Sequence, residues 1–353
     1  MQLKLPSLRQ SLLSVALLMP LAVLSQEPGG LQPGAKAPTF DLRDQSGKKQ
    51  TLDTLAGPNG LLLLFFRSAD WCPFCKGQLV DLEGTQKAFA AKGINVAAVS
   101  YDSPAILASF AKRRSITYPL LSDSSSALID KFGIRNPEGT GIQAGIPYPG
   151  FYLIDPQGVI QKRFFETAYV NRLTSNNLYA YLFGESALPI PSKQLESTPH
   201  VTVTTTQSDT DVTPGAVVRL IVSLTPAPDT HVYAPGAEKL QYHVTSLTIS
   251  PSDLYNVTPI SYPKSELLNF PELKETVPVY TGQTVFTTSV AAAVNQKTIP
   301  LFAQNPHLAI KGELEYQACT STVCFPPVKT PVEWALNLRQ LDRERAPQDI
   351  QHK

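Results

Sequence analysis

The chain has 353 residues, of which 42% are hydrophobic, so it can form more than one domain with an apolar core and is not an intrinsically disordered polypeptide. Its 30 basic and 29 acidic side chains give a net charge of +1, and composition therefore offers no electrostatic case for a nucleic-acid partner or an anionic membrane. The 31 prolines favour β-edges and turns over a largely helical protein.

The amino terminus is typical of a secretory signal peptide over residues 1–25. Lys4 and Arg9 precede the apolar run 12–24, which is shorter than the about 20 residues that a membrane span needs. Ser25 provides the small residue that cleavage requires. We therefore expect an exported protein, periplasmic or secreted, in a compartment where disulfides can form.

A cysteine motif follows the most apolar run of the first half of the mature chain. Residues 61–66 are all apolar, which predicts a strand buried on both faces, and the turn WCPFC (71–75) leads into a helix that ends near Gly93. Cys72 and Cys75 are therefore expected where a strand ends and a helix begins. The unpaired N–H groups and the helix dipole at such a junction lower a thiol pKa from about 8.5 to roughly 3.5–7.5. The pattern predicts a redox-active dithiol.

The elements after this helix alternate between strands and helices. They are a strand at 96–99, a helix at 103–114, an extended segment at 118–121, a helix at 124–132, a hairpin at 151–165 and a helix at 170–182. This order predicts a mixed α/β sheet with helices on both faces. Residues 186–200 are rich in Pro and Ser and lack periodicity, so they indicate a domain boundary.

Beyond residue 200 the sequence alternates in short runs separated by proline-rich turns. These runs lie at 201–205, 217–222, 242–249, 284–294 and 314–318. They predict an antiparallel β-sandwich. Cys319 and Cys324 form a second close pair near its end, and the charged residues 340–353 are expected to form a frayed tail.

The four cysteines form two close pairs, a spacing that favours redox chemistry over structural stapling. Each disulfide would close a very small loop and constrain the unfolded chain by only about 2 kcal/mol. The alternatives are inert disulfides and a zinc site made from both pairs, although the pairs belong to different predicted domains. The five histidines show no metal spacing, and His231 and His243 are interpreted as polar strand residues. No cofactor or metal is expected.

Three motifs of the first domain carry a family resemblance: APTFDL (37–42), WCPFC (71–75) and FYLIDPQG (151–158). Through them residues 34–185 resemble the thioredoxin fold, in particular its alkyl hydroperoxide reductase/thiol-specific antioxidant (peroxiredoxin-like) branch. The resemblance implies that Cys72 and Cys75 are catalytic and that Trp71 and Pro73 support them. It also implies that Pro149 is a cis-proline facing the two cysteines.

The resemblance leaves the roles of the two cysteines open. In a thioredoxin-like reaction Cys72 attacks the substrate disulfide and Cys75 resolves the mixed disulfide. In a peroxiredoxin-like reaction Cys75 attacks peroxide and Cys72 resolves the sulfenic acid. Peroxiredoxins place an arginine beside the attacking cysteine, but the aligned position here is Pro149, with Arg67 or Arg135 as candidate substitutes. This departure favours dithiol–disulfide exchange over peroxide turnover.

The second domain carries the motif YQACTSTVCFPP (316–327) and, more loosely, HVYAPG (231–236). Residues 200–338 are thereby similar to the periplasmic N-terminal domain of the thiol:disulfide interchange protein DsbD, an immunoglobulin-like sandwich with a redox-active cysteine pair. The resemblance implies that Cys319 and Cys324 are catalytic. Phe270 is a candidate to cap them.

Together these patterns predict an exported thiol–disulfide oxidoreductase with an α/β thioredoxin-like domain followed by an all-β immunoglobulin-like sandwich. Its expected partners are protein thiols and disulfides or peroxide, with an electron relay between the two cysteine pairs and a membrane electron donor left open. A thiol-dependent peroxidase is one alternative. The other is a redox-active first domain joined to a sandwich that only docks a partner.

Overall fold

The computed structural model describes residues 29–165, 168, 170–184, 187–188, 192–195 and 198–353, so the predicted signal peptide lies outside the described residues. The α-helices are α1 (Leu52–Leu55), α2 (Pro73–Ala91), α3 (Pro104–Arg114), α4 (Ala127–Lys131), α5 (Ser175–Phe183) and α6 (Thr298–Gln304). The strands before residue 185 are β1 (Leu42–Asp44), β2 (Lys49–Gln50), β3 (Gly60–Phe65), β4 (Ile94–Ser100), β5 (Leu120–Ser122), β6 (Gly150–Ile154), β7 (Ile160–Phe165) and β8 (Arg172–Leu173). Those after it are β9 (Lys193–Gln194), β10 (Val201–Gln207), β11 (Asp211–Val212), β12 (Ala216–Pro226), β13 (His231–Tyr233), β14 (Ser246–Ile249), β15 (Tyr255–Val257), β16 (Glu266–Phe270), β17 (Glu275–Tyr280), β18 (Thr284–Ala292), β19 (His307–Tyr316), β20 (Ala318–Cys319) and β21 (Val328–Leu338).

The first domain is built on a seven-stranded mixed sheet with the order β2-β1-β5-β4-β3-β6-β7. Strands β3, β4 and β5 run parallel, whereas β6 is antiparallel to β3. Leu62 and Leu64 of β3 pack on one face with residues of α2, α3 and α5, and Leu61 and Leu63 pack on the other with residues of α1 and α4. Burial on both faces accounts for the unbroken apolar run, and the predicted two-sided α/β sheet is confirmed.

The second domain is a β-sandwich around a large apolar core. One sheet has the order β15-β18-β12-β10-β9, and the facing sheet has the order β11-β21-β19-β14. Phe286 of β18 and Trp334 of β21 meet in the core between them. Every second residue of β21 is buried from Thr330 onward, as expected for a strand with one solvated face. The predicted sandwich is confirmed, and a small third sheet, β16-β17-β13-β20, is added to it.

Helix α5 begins later than the sequence pattern predicts, at Ser175 rather than Val170. Thr174 is the N-cap residue and its hydroxyl accepts a hydrogen bond from the backbone N–H of Asn177, which fixes the start of the helix. The preceding residues form β8, which pairs in parallel with Ala216 and Val217 of β12. Strand β8 therefore belongs to the sandwich sheet although it lies in the chain of the first domain.

The frayed tail predicted at residues 340–353 is wrong. This carboxyl-terminal segment runs back over the first domain, where the carboxylate of Asp70 accepts hydrogen bonds from the Arg345 guanidinium at 2.7 and 2.6 Å. Ala346 is buried, and Ile350 packs against the same apolar cluster as α2. Asp342, Glu344 and Arg345, three of the charges that suggested a solvated tail, form ion pairs with the first domain.

The expected cis-proline is also wrong, because none of the described residues has a cis peptide bond. Pro149 is buried directly before β6, whose first residue, Gly150, pairs with Phe65 of β3. Pro149 thus leads directly into a paired strand through a trans peptide bond. In the described part of the chain no helix is long and apolar enough to cross a membrane.

Candidate active site

The Cys72–Cys75 pair lies at the amino end of α2, just beyond the carboxyl end of β3. Cys72 is the N-cap residue, and Pro73 takes the first helical position, where its missing N–H has no cost. The backbone N–H of Cys75 donates to the Sγ of Cys72 at 3.3 Å. Both cysteines are free thiols, and only 1% of Cys72 and 0% of Cys75 is exposed. The structure thus brings the predicted pair to the predicted junction and buries it.

A buried guanidinium faces this dithiol. Nη2 of Arg172, on β8, donates to the Sγ of Cys75 across 3.7 Å. Arg172 is only 4% exposed, and its backbone N–H donates to the carbonyl of Gly215 in the sandwich at 2.8 Å. The sandwich therefore holds the arginine that contacts the first domain's cysteine.

The surroundings move the pKa values of the two thiols in opposite directions. Burial raises the pKa of Cys72 well above its usual range, and the hydrogen bond with Cys75 and the charge on it raise that pKa further. Burial also opposes ionisation of Cys75, but the hydrogen bond from Cys72 and the charge of Arg172 outweigh it and hold the pKa of Cys75 well below its usual range. The directions of the two shifts favour a pair that keeps its proton on Cys72 and carries the negative charge on Cys75.

Arg172 was not predicted as a site residue from the sequence. Arg67 and Arg135 were the candidate arginines instead. Arg135 forms an ion pair with Asp130 at the surface and takes no part in the site. Arg67 lies close by, with its guanidinium 4.8 Å from the Trp71 ring, and its backbone N–H helps to lower the pKa of Cys75. The N-cap signal at Thr174 could have placed Arg172 outside the helix, but nothing in the sequence shows that it faces Cys75.

Trp71, which directly precedes Cys72, is held in place by a neighbouring tyrosine. Trp71 donates from its indole Nε1 to the hydroxyl of Tyr101 at 2.8 Å. The ring of Tyr101 in turn stacks on His352 of the carboxyl-terminal segment, with centroids 4.3 Å apart. Trp71 is thus held beside the dithiol, and its supporting role stays a prediction, while Pro149 is buried directly before the neighbouring strand β6.

The sandwich covers the dithiol turn closely. A Cβ atom placed on Gly77 of α2 would stand 2.8 Å from Oγ1 of Thr213, and one on Gly215 would stand 3.4 Å from the Phe74 ring. At these two points α2 and the loop at residues 213–215 are in direct contact. The dithiol is therefore enclosed at the junction of the two domains.

The second cysteine pair is a disulfide in the small third sheet of the sandwich. Cys319 is buried on β20 opposite His231 of β13, whereas Cys324 is exposed. The hydroxyl oxygen of Tyr233 lies 3.7 Å from the Sγ of Cys324. Phe270, the predicted cap, packs in the apolar cluster that contains Cys319.

His231 and His243 contact other side chains of the sandwich. The Nε2 atom of His243 lies 2.9 Å from a carboxylate oxygen of Glu315, and the ring of His231 packs against Phe270. Among the described residues no group of three or more His, Cys, Asp or Glu side chains could hold a metal ion.

The two cysteine pairs lie at opposite ends of the sandwich. Arg172 pairs with Ala216 at the start of β12, whereas Cys319 pairs with His231, which follows the end of β12 at Pro226. The 11 residues of β12 span roughly 35 Å. The two pairs therefore do not meet within one chain in this arrangement.

Comparison with known proteins finds relatives of both halves. The AhpC/TSA family model matches residues 33–163, and the model of the N-terminal domain of the thiol:disulfide interchange protein DsbD matches residues 199–334. The chain is 33% identical to the thioredoxin-like protein YneN of Bacillus subtilis over 141 residues, which are 39% of this chain and 74% of that protein. This chain belongs to the AhpC/TSA family.

Other relatives match the same AhpC/TSA domain. Alkyl hydroperoxide reductase E of Mycobacterium tuberculosis is 33% identical over 133 residues, which are 37% of this chain and 83% of that protein. The thiol-disulfide oxidoreductase ResA of Bacillus subtilis is 28% identical over 130 residues, 36% of this chain and 65% of that protein. The crystal structure of the peroxidoxin BcpB from Mycobacterium tuberculosis covers 38% of this chain and 86% of its own, with 24% identity and a TM-score of 0.35. The curated relatives include an alkyl hydroperoxide reductase and a thiol–disulfide oxidoreductase, so the protein is an enzyme of thiol redox chemistry.

Proposed function

We propose that the protein is a thiol–disulfide oxidoreductase whose Cys72–Cys75 dithiol exchanges two electrons with a substrate disulfide. The observation that carries the proposal is the contact of the Arg172 guanidinium with the Sγ of Cys75, next to a second thiol, Cys72. A thiolate is the attacking form of cysteine, and a neighbouring thiol is what resolves the mixed disulfide. The site holds one of each.

The reaction proceeds in two exchanges. The thiolate of Cys75 attacks one substrate sulfur, which forms a mixed disulfide and releases the other substrate sulfur as a thiolate. Cys72 gives its proton to that leaving thiolate and then attacks the Sγ of Cys75, forming the Cys72–Cys75 disulfide and releasing the second substrate thiolate. The substrate has gained two electrons, and the enzyme has lost them. This order assigns attack to Cys75, not to Cys72 as in the thioredoxin-like alternative.

A thiol peroxidase is the second candidate, favoured by the same arginine. The position at which peroxiredoxins carry their arginine is Pro149 here, but Arg172 brings a guanidinium to Cys75 from another strand. The Cys75 thiolate would attack a peroxide oxygen and become a sulfenic acid, releasing an alcohol or water. Cys72 would then condense with the sulfenic acid, releasing water and leaving the Cys72–Cys75 disulfide. Both reactions end in the same oxidised enzyme.

We extend the proposal to the location of the protein and to the roles of its two domains. Residues 1–25 serve as a signal peptide for export to the periplasm or beyond, and residues 34–185 and 200–338 are the two functional domains. The Cys319–Cys324 disulfide exchanges with a separate partner, such as a membrane electron donor, because Cys324 is exposed and the first dithiol is distant. A sandwich that only docks the partner is the alternative for this domain.

The test compares the reduction of a model disulfide such as insulin by the wild-type protein and by two serine variants. Cys72→Ser and Cys75→Ser should each abolish catalytic turnover, whereas Cys319→Ser with Cys324→Ser serves as the matched control and should retain it. Unchanged turnover in Cys75→Ser would refute the proposal. Peroxide consumption in the same samples, faster than with free dithiothreitol and dependent on Cys75, would select the peroxidase.

A further inference from the structure

We propose that the carboxyl-terminal segment (residues 340–353) is a latch that closes the dithiol to folded protein substrates and admits only small reagents until it is displaced. The proposal rests on the proposed function, because it defines which disulfides reach the Cys72–Cys75 site. It starts from the burial of both thiols, since a sulfur with at most 1% exposure cannot meet a disulfide on the surface of another protein. Some cover of the site must therefore open.

Of three segments that lie around the dithiol, two are held by sheet pairing and one is not. Strand β8 is paired with β12, and the loop at residues 213–215 connects β11 to β12, so neither can leave without disrupting the sandwich sheet. The carboxyl-terminal segment follows β21, which ends at Leu338, and pairs with no strand among the described residues. It can be displaced without breaking a strand pairing. The latch is therefore the cover that can open at the least cost.

The latch is fastened to the residues that lead into the dithiol. Asp70, two positions before Cys72, is 0% exposed. Besides the Arg345 guanidinium, its carboxylate accepts the backbone N–H of Ala346 at 2.8 Å and that of His352 at 3.1 Å. A buried carboxylate needs such donors, so the latch supplies the partners that keep this loop in place.

A second set of contacts fixes the latch on the other side of the dithiol. The ammonium group of Lys76, one position after Cys75, donates to the carbonyl of Glu344 at 2.7 Å and to that of Asp70 at 3.2 Å. The Nε2 atom of His352 lies 2.7 Å from the carboxylate of Asp102. Residues on both sides of the cysteine pair are thus tied to one segment, and release of that segment frees both.

The latch is held mainly by polar contacts rather than by apolar burial. The Arg345 side chain is 38% exposed, and the buried apolar part is limited to Ala346, with Ile350 partly buried beside it. Water can replace the lost hydrogen bonds when the segment leaves, so opening costs less than separation of the two domains.

The test measures labelling of Cys72 and Cys75 in the reduced full-length protein by iodoacetamide, a small reagent, and by a polyethylene glycol maleimide, a large one. Arg345→Ala should raise the rate with the large reagent, relative to the small one, by about tenfold, as expected for the loss of a charge-assisted hydrogen-bond pair. Lys329→Ala, which removes an exposed ion pair with Glu313 on the sandwich, is the control and should leave the ratio unchanged. An unchanged ratio in a folded Arg345→Ala protein would overturn the latch.

Hydrogen exchange of the wild-type protein provides a test that needs no variant. The backbone amides of Ala346 and His352, which bond to Asp70, should exchange faster than those of Arg172 and Thr174, which bond to the sandwich. Equal exchange rates would mean that the latch opens only with the domain junction, which contradicts the proposal. Neither test needs turnover, so a failure of the proposed oxidoreductase activity would be seen separately.

Discussion

Nη2 of Arg172 lies 3.7 Å from the Sγ of Cys75, although 97 residues separate the two in the chain. The strand that carries Arg172 is paired with the sandwich, whereas Cys75 lies on the central helix of the first domain. The charge that selects the thiolate is therefore positioned by the other domain. The sandwich thus contributes to the first dithiol even though its own disulfide lies at the far end.

Arg172→Gln is expected to raise the pKa of Cys75. The substitution removes a positive charge next to the thiolate, which typically changes a pKa by about 1–3. Thiolate absorbance in the ultraviolet, followed against pH, measures the effect. Arg135→Gln removes a surface arginine paired with Asp130 and should leave the titration unchanged. The same Cys75 pKa in Arg172→Gln and the wild type would show that the guanidinium does not stabilise the thiolate.

The thiol of Cys72 is expected to stabilise the Cys75 thiolate through its hydrogen bond. Cys72→Ser keeps a donor in place, whereas Cys72→Ala removes it, so only the alanine variant should raise the pKa of Cys75 strongly. Both variants should accumulate a mixed disulfide on Cys75, because no resolving thiol is left. Mass spectrometry identifies the adduct, and its absence from both variants would argue against attack by Cys75.

The interface between the domains is expected to lose stability as pH rises, through Asp209. Its carboxyl accepts hydrogen bonds from Thr174 at 2.7 Å and Ser208 at 2.5 Å, and burial, with the nearby charge of Asp81, raises its pKa from 3.8 to about 7. The native state binds this proton more tightly than the unfolded state. The contribution is therefore fully present below about pH 4 and lost as pH rises to about 7.

Denaturant unfolding of the wild type and Asp209→Asn at several pH values checks this expectation. The wild type should lose free energy of unfolding between about pH 4 and about pH 7, and the asparagine variant should lose less over the same window because it has no proton to release. Parallel pH profiles for the two proteins would show that Asp209 titrates normally.

Loss of the Cys319–Cys324 disulfide is expected to lower the stability of the protein but to leave the reactivity of Cys75 unchanged. Cys319→Ser with Cys324→Ser should lower the free energy of unfolding by about 2 kcal/mol, the value for a very small loop. The rate of iodoacetamide labelling at Cys75 should stay the same, because the strand between the two sites spans roughly 35 Å. A changed labelling rate would indicate that the sites are coupled through the sandwich.

The structural features that were predicted correctly from the sequence are those that depend on local patterns of residues. The apolar run 61–66 indicated a strand covered on both faces, and Pro73 with the following helical periodicity placed the cysteines at the start of a helix. Proline turns and alternation indicated the sandwich. Each of these signals is set by neighbours in the chain, so no knowledge of the tertiary structure was needed.

The sequence did not predict what depends on pairing between distant segments. A two-residue strand such as β8 has no periodicity of its own, so Arg172 could not be placed beside Cys75. The charged residues 340–353 were typical of a solvated tail because their partners, such as Asp70, lie more than 250 residues earlier. The cis-proline prediction came from family resemblance at a position where this chain departs from the family.

The central claim is that Cys75, not Cys72, is the thiolate of the resting reduced enzyme. The most direct measurement reacts the reduced wild-type protein with limiting iodoacetamide at about pH 6, below the pKa of an ordinary thiol, and locates the label by mass spectrometry. We expect the label on Cys75, at a rate that Arg172→Gln reduces. Labelling of Cys72 first, or a rate no faster than that of an ordinary thiol, would contradict the account.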